Sequence, residues 1–215
     1  MANMRGRGER AGLSQTYILE MALRLADSEG LEGLSMRKLA ERLGVAPNSL
    51  YTYVADKDAL LAAMLERVLE GITIPGDKES TWDARLRMLM LSTRSTVLSH
   101  PTLAPAFLSR PGGPVAVALG EKMLAWLDEG GIRGNDGVRA VRALLAYTLG
   151  HVALEAARLN EPDRTDRQAR AHARNTRLPA ANFPHTRRHA AHLAQHPGEV
   201  DFLCGLSALL RGLAN

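Results

Sequence analysis

The sequence predicts an all-α protein in two parts, and three observations carry that prediction. Apolar residues recur at helical spacing along most of the chain. No stretch alternates with the period of two that marks a strand, and Gly and Pro punctuate the pattern where helices should stop. Aromatic residues make up only 4% of the chain, which leaves its core to Leu, Ala, Val and Met, a mixture that favours helix. With 215 residues, 46% hydrophobic and 23% charged, the chain has room for a small domain joined to a larger one.

The elements follow in order. A basic, flexible arm is expected over residues 1–13, with Arg5, Arg7 and Arg10 but no apolar run of the kind a secretory leader needs. From Ser14, the positions Ile18, Leu19, Met21, Ala22, Leu25 and Ala26 form a helical stripe that Gly30 should end. Ser35 is placed to cap a short second helix carrying Met36, Leu39, Ala40 and Leu43, which stops at Gly44. Pro47 opens a third, because its missing N–H would be unpaired in a first turn anyway. Asp56 caps a fourth, striped by Leu60, Leu61, Met64, Leu65 and Val68. Ile74-Pro75-Gly76-Asp77 then breaks the chain, so the first domain is expected over residues 14–74 and the second over 80–215.

In the second part, Ser80-Thr81-Trp82-Asp83 has the spacing of a capping box with Asp in place of Glu, and a long helix should run to about Ser99. The segment Pro101–Pro114 has room for one short helix around Ala104–Leu108. Further helices are expected over Val115–Glu129, Asp136–Leu159, His185–His196 and Glu199–Leu213. Residues 160–184 are polar, arginine-rich and proline-spaced, and read as a mobile loop.

Chemistry concentrates between Ser35 and Val54. Two short helices joined by Gly44-Val45-Ala46 make a helix-turn-helix, a geometry that presents its second helix to a major groove. On that second helix Leu50 and Val54 face inward, while Asn48, Ser49, Tyr51, Thr52 and Tyr53 crowd the other faces. Hydrogen-bonding side chains with almost no charge suit base edges and phosphates. Bulk charge is a poor guide here. The eight Lys and Arg residues of positions 1–60 are matched by eight Asp and Glu, and the net charge of +4 comes largely from Arg164–Arg188.

The run from Leu34 to Leu61, with RKLAERLGV, SLYTYV and DKDALL in register, resembles the N-terminal domain of the TetR family of transcriptional repressors. The match extends over residues 14–70. The resemblance implies that Ser35, Arg37, Pro47, Asn48, Ser49, Tyr51, Thr52, Tyr53 and Lys57 occupy DNA-facing positions. Arg37 is the expected base reader, since a guanidinium pairs bidentately with guanine. Tyr51, Tyr53 and Lys57 are expected on phosphates.

The second half resembles the tetracycline-repressor subgroup through Glu79–Trp82, Leu98–His100, Arg110-Pro111, Tyr147–Gly150 and Phe202–Leu206. This implies a helical ligand-binding and dimerisation domain, and hence a homodimer on palindromic double-stranded operator DNA that a small-molecule inducer releases. The departures are chemical. Phe107 stands where the subgroup has its magnesium-coordinating histidine. Leu89 and Thr93 stand where it has drug-contacting Asn and Phe, and Ala146 replaces a histidine. No metal or other cofactor is expected, because Phe107 offers Mg²⁺ no ligand atom. A more apolar, antibiotic-like inducer is implied, lined by Leu89, Thr93, Phe107, Arg110, Met123, Trp126, Tyr147, His151 and Glu155. Family habit places the regulated gene among efflux or antibiotic-related functions.

Two other features have a bland and a sharp reading. His185, His189, His192 and His196 recur on one expected helix face, where an i, i+4 pair can chelate zinc. With no acidic residue or cysteine near, interface packing or a pH-sensitive face is the better reading. The lone Cys204 lies in an apolar run and reads as a small buried hydrophobe, in keeping with a cytoplasmic protein. There is no run of membrane-spanning length, no Gly-rich phosphate loop and no Ser/His/Asp ordering, so an enzyme is a remote rival. A TetR-type activator or a ligand-insensitive regulator is a nearer one.

Overall fold

The computed structural model describes residues 13–76, 81–110, 112–159 and 163–213, so the expected N-terminal arm lies outside it except for Leu13. The described residues form twelve α-helices, one 3-10 turn at Pro101–Leu103 and no strand. The first four helices are α1 (Gln15–Gly33), α2 (Met36–Leu43), α3 (Pro47–Leu50) and α4 (Lys57–Leu69). The starts of α2 and α4 are fixed by the expected caps, Ser35 and Asp56, and that of α1 by Ser14. The hydroxyls of Ser14 and Ser35 accept from Tyr17 N and Lys38 N, and the Asp56 carboxylate accepts from Ala59 N. Gly44 ends α2 in the left-handed region (φ 68°), which only glycine enters without strain. At Gly30 (φ 76°) the chain bends rather than stops, and helical structure continues to Gly33.

Ile18, Ala22, Leu34, Leu39, Leu50, Leu60 and Met64 are fully buried together and form the first core. Burying each large member contributes roughly 1.5–3 kcal/mol of transfer free energy. Leu103 and Ala106, from beyond the break at residues 74–77, complete the same core. His100 and Thr102 both reach Asp27 on α1, at 2.8 and 3.4 Å. The sequence break therefore separates the chain without separating the packing.

The rest of the chain supplies α5 (Trp82–Leu98), α6 (Ala104–Ser109), α7 (Pro114–Glu129), α8 (Gly134–Leu159), α9 (Arg164–Arg177), α10 (Pro184–Arg188), α11 (Ala190–Ala194) and α12 (Glu199–Leu213). Helix α5 packs on α7 and α8, and α12 closes over α8. Leu86, Leu89, Met90, Met123, Trp126, Leu127, Leu144, Phe202 and Leu206 form the second core there.

Four expectations need correction. Residues 160–184 are not one loop, because Arg164–Arg177 is helical and packs on α10 and α11 through half-buried Ala171 and buried Asn175. Polarity suggested disorder there, but Ala, Arg and Gln are also strong helix formers. The helix expected over His185–His196 is two short ones, because the backbone leaves helical geometry at His189 (φ −103°, ψ 18°). Cys204 is exposed, since α12 buries Phe202, Leu206 and Leu210 and turns position 204 away. The capping box has no side-chain cap at Thr81, and its Ser80 lies outside the described residues.

Candidate functional site

Two regions carry the candidate chemistry, one on the surface of the first core and one enclosed between α4 and the second half. On the surface, α2 and α3 meet through Gly44-Val45-Ala46, closed by a 3.0 Å bond from Val45 N to Ala40 O. Helix α3 has a single regular turn, opened by Pro47. It continues as turns through Tyr53, with Tyr53 N and Val54 N both bonded to Leu50 O. Leu50 and Val54 are buried beneath it, which aims the intervening side chains outward.

The outward set is Ser35, Arg37, Pro47, Asn48, Tyr51, Thr52 and Lys57, all exposed, with Ser49 half-buried. Two of them are partly engaged locally: Thr52 Oγ1 donates to Ser49 O, and Lys57 Nζ donates to Leu31 O at 3.2 Å. Ser35 spends its hydroxyl as the α2 cap. Tyr53 behaves differently from Tyr51. Its ring packs on the first core and its hydroxyl donates to Leu13 O at 3.3 Å, whereas Tyr51 is half exposed at 51%.

The charges are sorted in the same way. Glu29 binds both Lys38 and Arg42, and the Lys38 hydrogen bond leads the effects that hold its carboxyl below the usual range. That removes two cations from the free surface. Arg37 is exposed and has no hydrogen-bond or ion-pair partner among the described residues. A first domain with more Asp and Glu than Lys and Arg thus still presents unneutralised positive charge on its recognition face.

The interior region is a cavity of about 370 Å³. Its wall joins Leu65, Glu66 and Leu69 of α4 to Leu89, Met90 and Thr93 of α5, Phe107, Arg110, Gly112 and Gly113, and Ala116, Leu119 and Met123 of α7. Five sequence-predicted residues line it: Leu89, Thr93, Phe107, Arg110 and Met123. The α4 contribution was not legible in the sequence, because no local pattern tells that α4 packs against α7.

The polar groups of the wall are already bonded. The Glu66 carboxylate accepts from Gly113 N at 3.1 Å and Val115 N at 2.7 Å, at the start of α7. A Cβ at position 113 would lie 2.7 Å from the Glu66 carboxyl carbon, so any side chain there would push the carboxylate out of this position. Arg110 pairs with Asp58 at 2.7 Å, and Thr93 Oγ1 donates to Leu89 O. With one carboxylate, which caps a helix, and no imidazole on the wall among the described residues, the donor set does not suit a metal ion.

Trp126, Tyr147, His151 and Glu155 do not line this cavity. Trp126 is core, with the Arg85 guanidinium 5.4 Å from its ring centre. The other three form a separate polar knot. Arg94 is buried on α5 and forks onto Glu155 (2.7 and 3.1 Å), also reaching Glu199 at 3.2 Å. Tyr147 donates to Phe202 O at 2.9 Å, and burial pushes its phenol above the usual range. His151 packs edge-on to Phe202, its ring nitrogens buried and without a hydrogen bond, and its Nδ1 lies 3.6 Å from Glu155 Oε2. Burial is the main reason its pKa falls below the ordinary 6.5. The knot ties α5, α8 and α12 together. The cavity takes Leu145 and Leu149 from another face of α8, so the three residues that the resemblance implied point away from it.

The four histidines are not a ligand cluster. His185, His189 and His192 are exposed, and His196 lies beyond α11 against Arg158. Among the described residues no three His, Cys, Asp or Glu side chains gather to hold a metal.

The chain has clear relatives. Residues 18–64 match the model of the bacterial regulatory proteins of the tetR family, and residues 74–215 match the tetracyclin repressor-like C-terminal domain. It is 32% identical over 206 residues to the class D tetracycline repressor protein of Escherichia coli, covering 94% of this chain and 89% of that one. It is 37% identical over 146 residues to the HTH-type transcriptional repressor DrrR1 of Streptomyces coeruleorubidus, covering 67% of this chain and 54% of that one. Its fold superposes with a TM-score of 0.85 on the TetR family protein ActR of Streptomyces coelicolor, solved in complex with actinorhodin. That match is 27% identical and covers 94% and 95% of the two chains.

Proposed function

This chain belongs to the tetR family of transcriptional regulators, with a helix-turn-helix at its N-terminus and a ligand-binding type of C-terminal domain, and on that premise we propose that it is a repressor released by a small molecule. In this reading a homodimer seats two copies of α3 in successive major grooves of a palindromic operator. Arg37 reads a base, while Tyr51 and Lys57 hold phosphates. Tyr53 acts from beneath, fixing the helix by its core packing.

The observation that carries the proposal is the composition of the cavity wall. Helix α4 begins directly after the recognition segment and gives Leu65, Glu66 and Leu69 to that wall. A ligand filling the cavity would therefore contact the helix that directly follows the recognition segment. A ligand releases operator only if it prefers one of two arrangements of α4, and this wall provides contacts for such a preference.

The inducer is expected to be predominantly apolar and free of metal. Most of the wall is aliphatic or aromatic, and its carboxylate is engaged with α7. Two relatives point to antibiotic-like chemistry, one named for tetracycline and one solved with actinorhodin. A regulated gene for export of, or resistance to, such a compound follows naturally.

The test is gel retardation of the promoter beside this gene, with and without hydrophobic antibiotics that raise the protein's melting temperature. Release of the DNA by a stabilising compound supports the reading. Binding that no stabilising compound disturbs would make the protein a ligand-insensitive regulator. Transcription that needs the bound protein would make it an activator.

A further inference from the structure

The arginine-rich segment, which neither the DNA-binding surface nor the cavity uses, is ordered into a walled cleft. Residues 164–188 hold seven arginines and one acid, Asp166. Arg167, Arg170 and Arg174 line one side of the cleft from α9. Arg158 at the end of α8 faces them, and Gln195 and His196 close the far side. The cleft measures about 870 Å³, and Asp163 is the only carboxylate on its lining among the described residues.

The partners of Arg158, Arg170 and Arg174 are neutral. Arg170 Nε donates to Asp166 O, Arg174 Nε to the Asn175 side-chain oxygen, and Arg158 to His196 Nδ1 at 3.3 Å. With Nδ1 accepting, the ring proton of His196 sits on Nε2, a buried donor without a partner. Like charges at neighbouring positions of a helix destabilise it, and a helix of this length is marginal without tertiary support. Yet α9 is held against α10 and α11, with Arg167, Arg170 and Arg174 all on the cleft. Guanidinium forks match the planar, bidentate geometry of phosphate and carboxylate oxygens.

We infer that this cleft binds a small molecule carrying two or more phosphate or carboxylate groups, with Arg170 and Arg174 as its principal ligands and Arg158 as a third. The site is separate from the apolar cavity and does not depend on which compound fills that cavity. Its ligand is chosen by charge, whereas the cavity's is chosen by apolar shape.

Isothermal titration of the full chain with sodium pyrophosphate, and in parallel with citrate, tests this. Salt is held at about 0.15 M so that distant surface charges are screened. The expected result is saturable binding of at least one of the two anions, and the stronger one identifies the chemical class. Arg170→Gln with Arg174→Gln should weaken it by about tenfold or more, about 1.4 kcal/mol or more. Arg170→Lys with Arg174→Lys keeps the charge but loses the forks, and should fall in between. Promoter retardation should be the same for all three proteins. Absence of saturable binding by either anion, or equal binding by the double Gln variant with its helical circular dichroism intact, overturns the inference. Loss of DNA affinity in that variant with no change in anion binding assigns the arginines to nucleic acid and overturns it equally.

Discussion

The carboxylate of Glu66, near the end of α4, accepts the backbone N–H of Val115 at 2.7 Å, while its other oxygen takes Gly113 N at 3.1 Å. A side chain from the helix that follows the recognition segment thereby caps the first turn of a helix in the ligand-binding half. The helix N-terminus favours a negative group, so the contact combines hydrogen bonding with dipole stabilisation. It also forms part of the cavity wall, so the cavity and the interdomain contact share an atom group. We expect Glu66→Ala to lower unfolding free energy by about 1–3 kcal/mol, the range for leaving partly buried donors unpaired. Urea denaturation checks this. The same variant should bind promoter DNA but respond less to the inducer, because α4 loses a tie to the ligand-holding helix.

The recognition face gives a second expectation. Arg37→Ala should weaken promoter binding by about 1–3 kcal/mol, the range for a bidentate base contact. Tyr51→Ala should weaken it too, with a smaller change in sequence preference. Both side chains are exposed, so the melting temperature should stay within a degree or two of the parent. Tyr53→Phe should instead lower stability, by about 0.5–1.5 kcal/mol, through the lost bond to Leu13 O. Retardation assays and thermal melts on the same three variants separate the two roles.

The cavity can be filled from within. An added Cβ at Gly120 on α7 meets nothing within 4 Å, and this residue lies on the cavity wall. Gly120→Leu should therefore occupy ligand space while improving helix propensity by roughly 0.8–1 kcal/mol. The expected outcome is a protein that melts no lower, retards its promoter, and no longer releases it when inducer is added. Release at the parental inducer concentration would place the ligand elsewhere.

His151 makes stability depend on acid. Its folded pKa lies below 6.5 chiefly because it is buried, and the groups around it are Glu155 on its own helix, Arg94 on α5 and Asp201 on α12. Below about pH 6.5 the unfolded chain takes up a proton that the folded one resists, so stability is full above that pH and falls as pH drops toward the lowered folded value. Measured from pH 8 down to about pH 5, the parent should lose more stability than His151→Leu, which has no such proton. Parallel curves for the two proteins would show that another group controls the acid limb.

Much of this molecule was written locally. Ser35 and Asp56 are caps by sequence and act as caps in the structure, and Gly44 ends α2 because its backbone alone enters that conformation freely. The all-α class, the helix-turn-helix and most helix limits rest on such short-range rules, in which residue type and spacing settle the outcome within a turn or two. Tertiary structure decided whatever depended on which faces meet. It packed Tyr53 against the core and left Tyr51 outside, although both sit in the same short run. It sent Tyr147, His151 and Glu155 into the knot around Arg94, and brought Glu66 to the cavity from a helix 47 residues before its partner Gly113. It also turned the polar stretch after α8 into a helix, because α10 and α11 offered it a surface to pack on. The physical reason is range: a cap or turn is satisfied by atoms a few residues away, whereas a cavity or an ion cluster exists only after distant helices have chosen their neighbours.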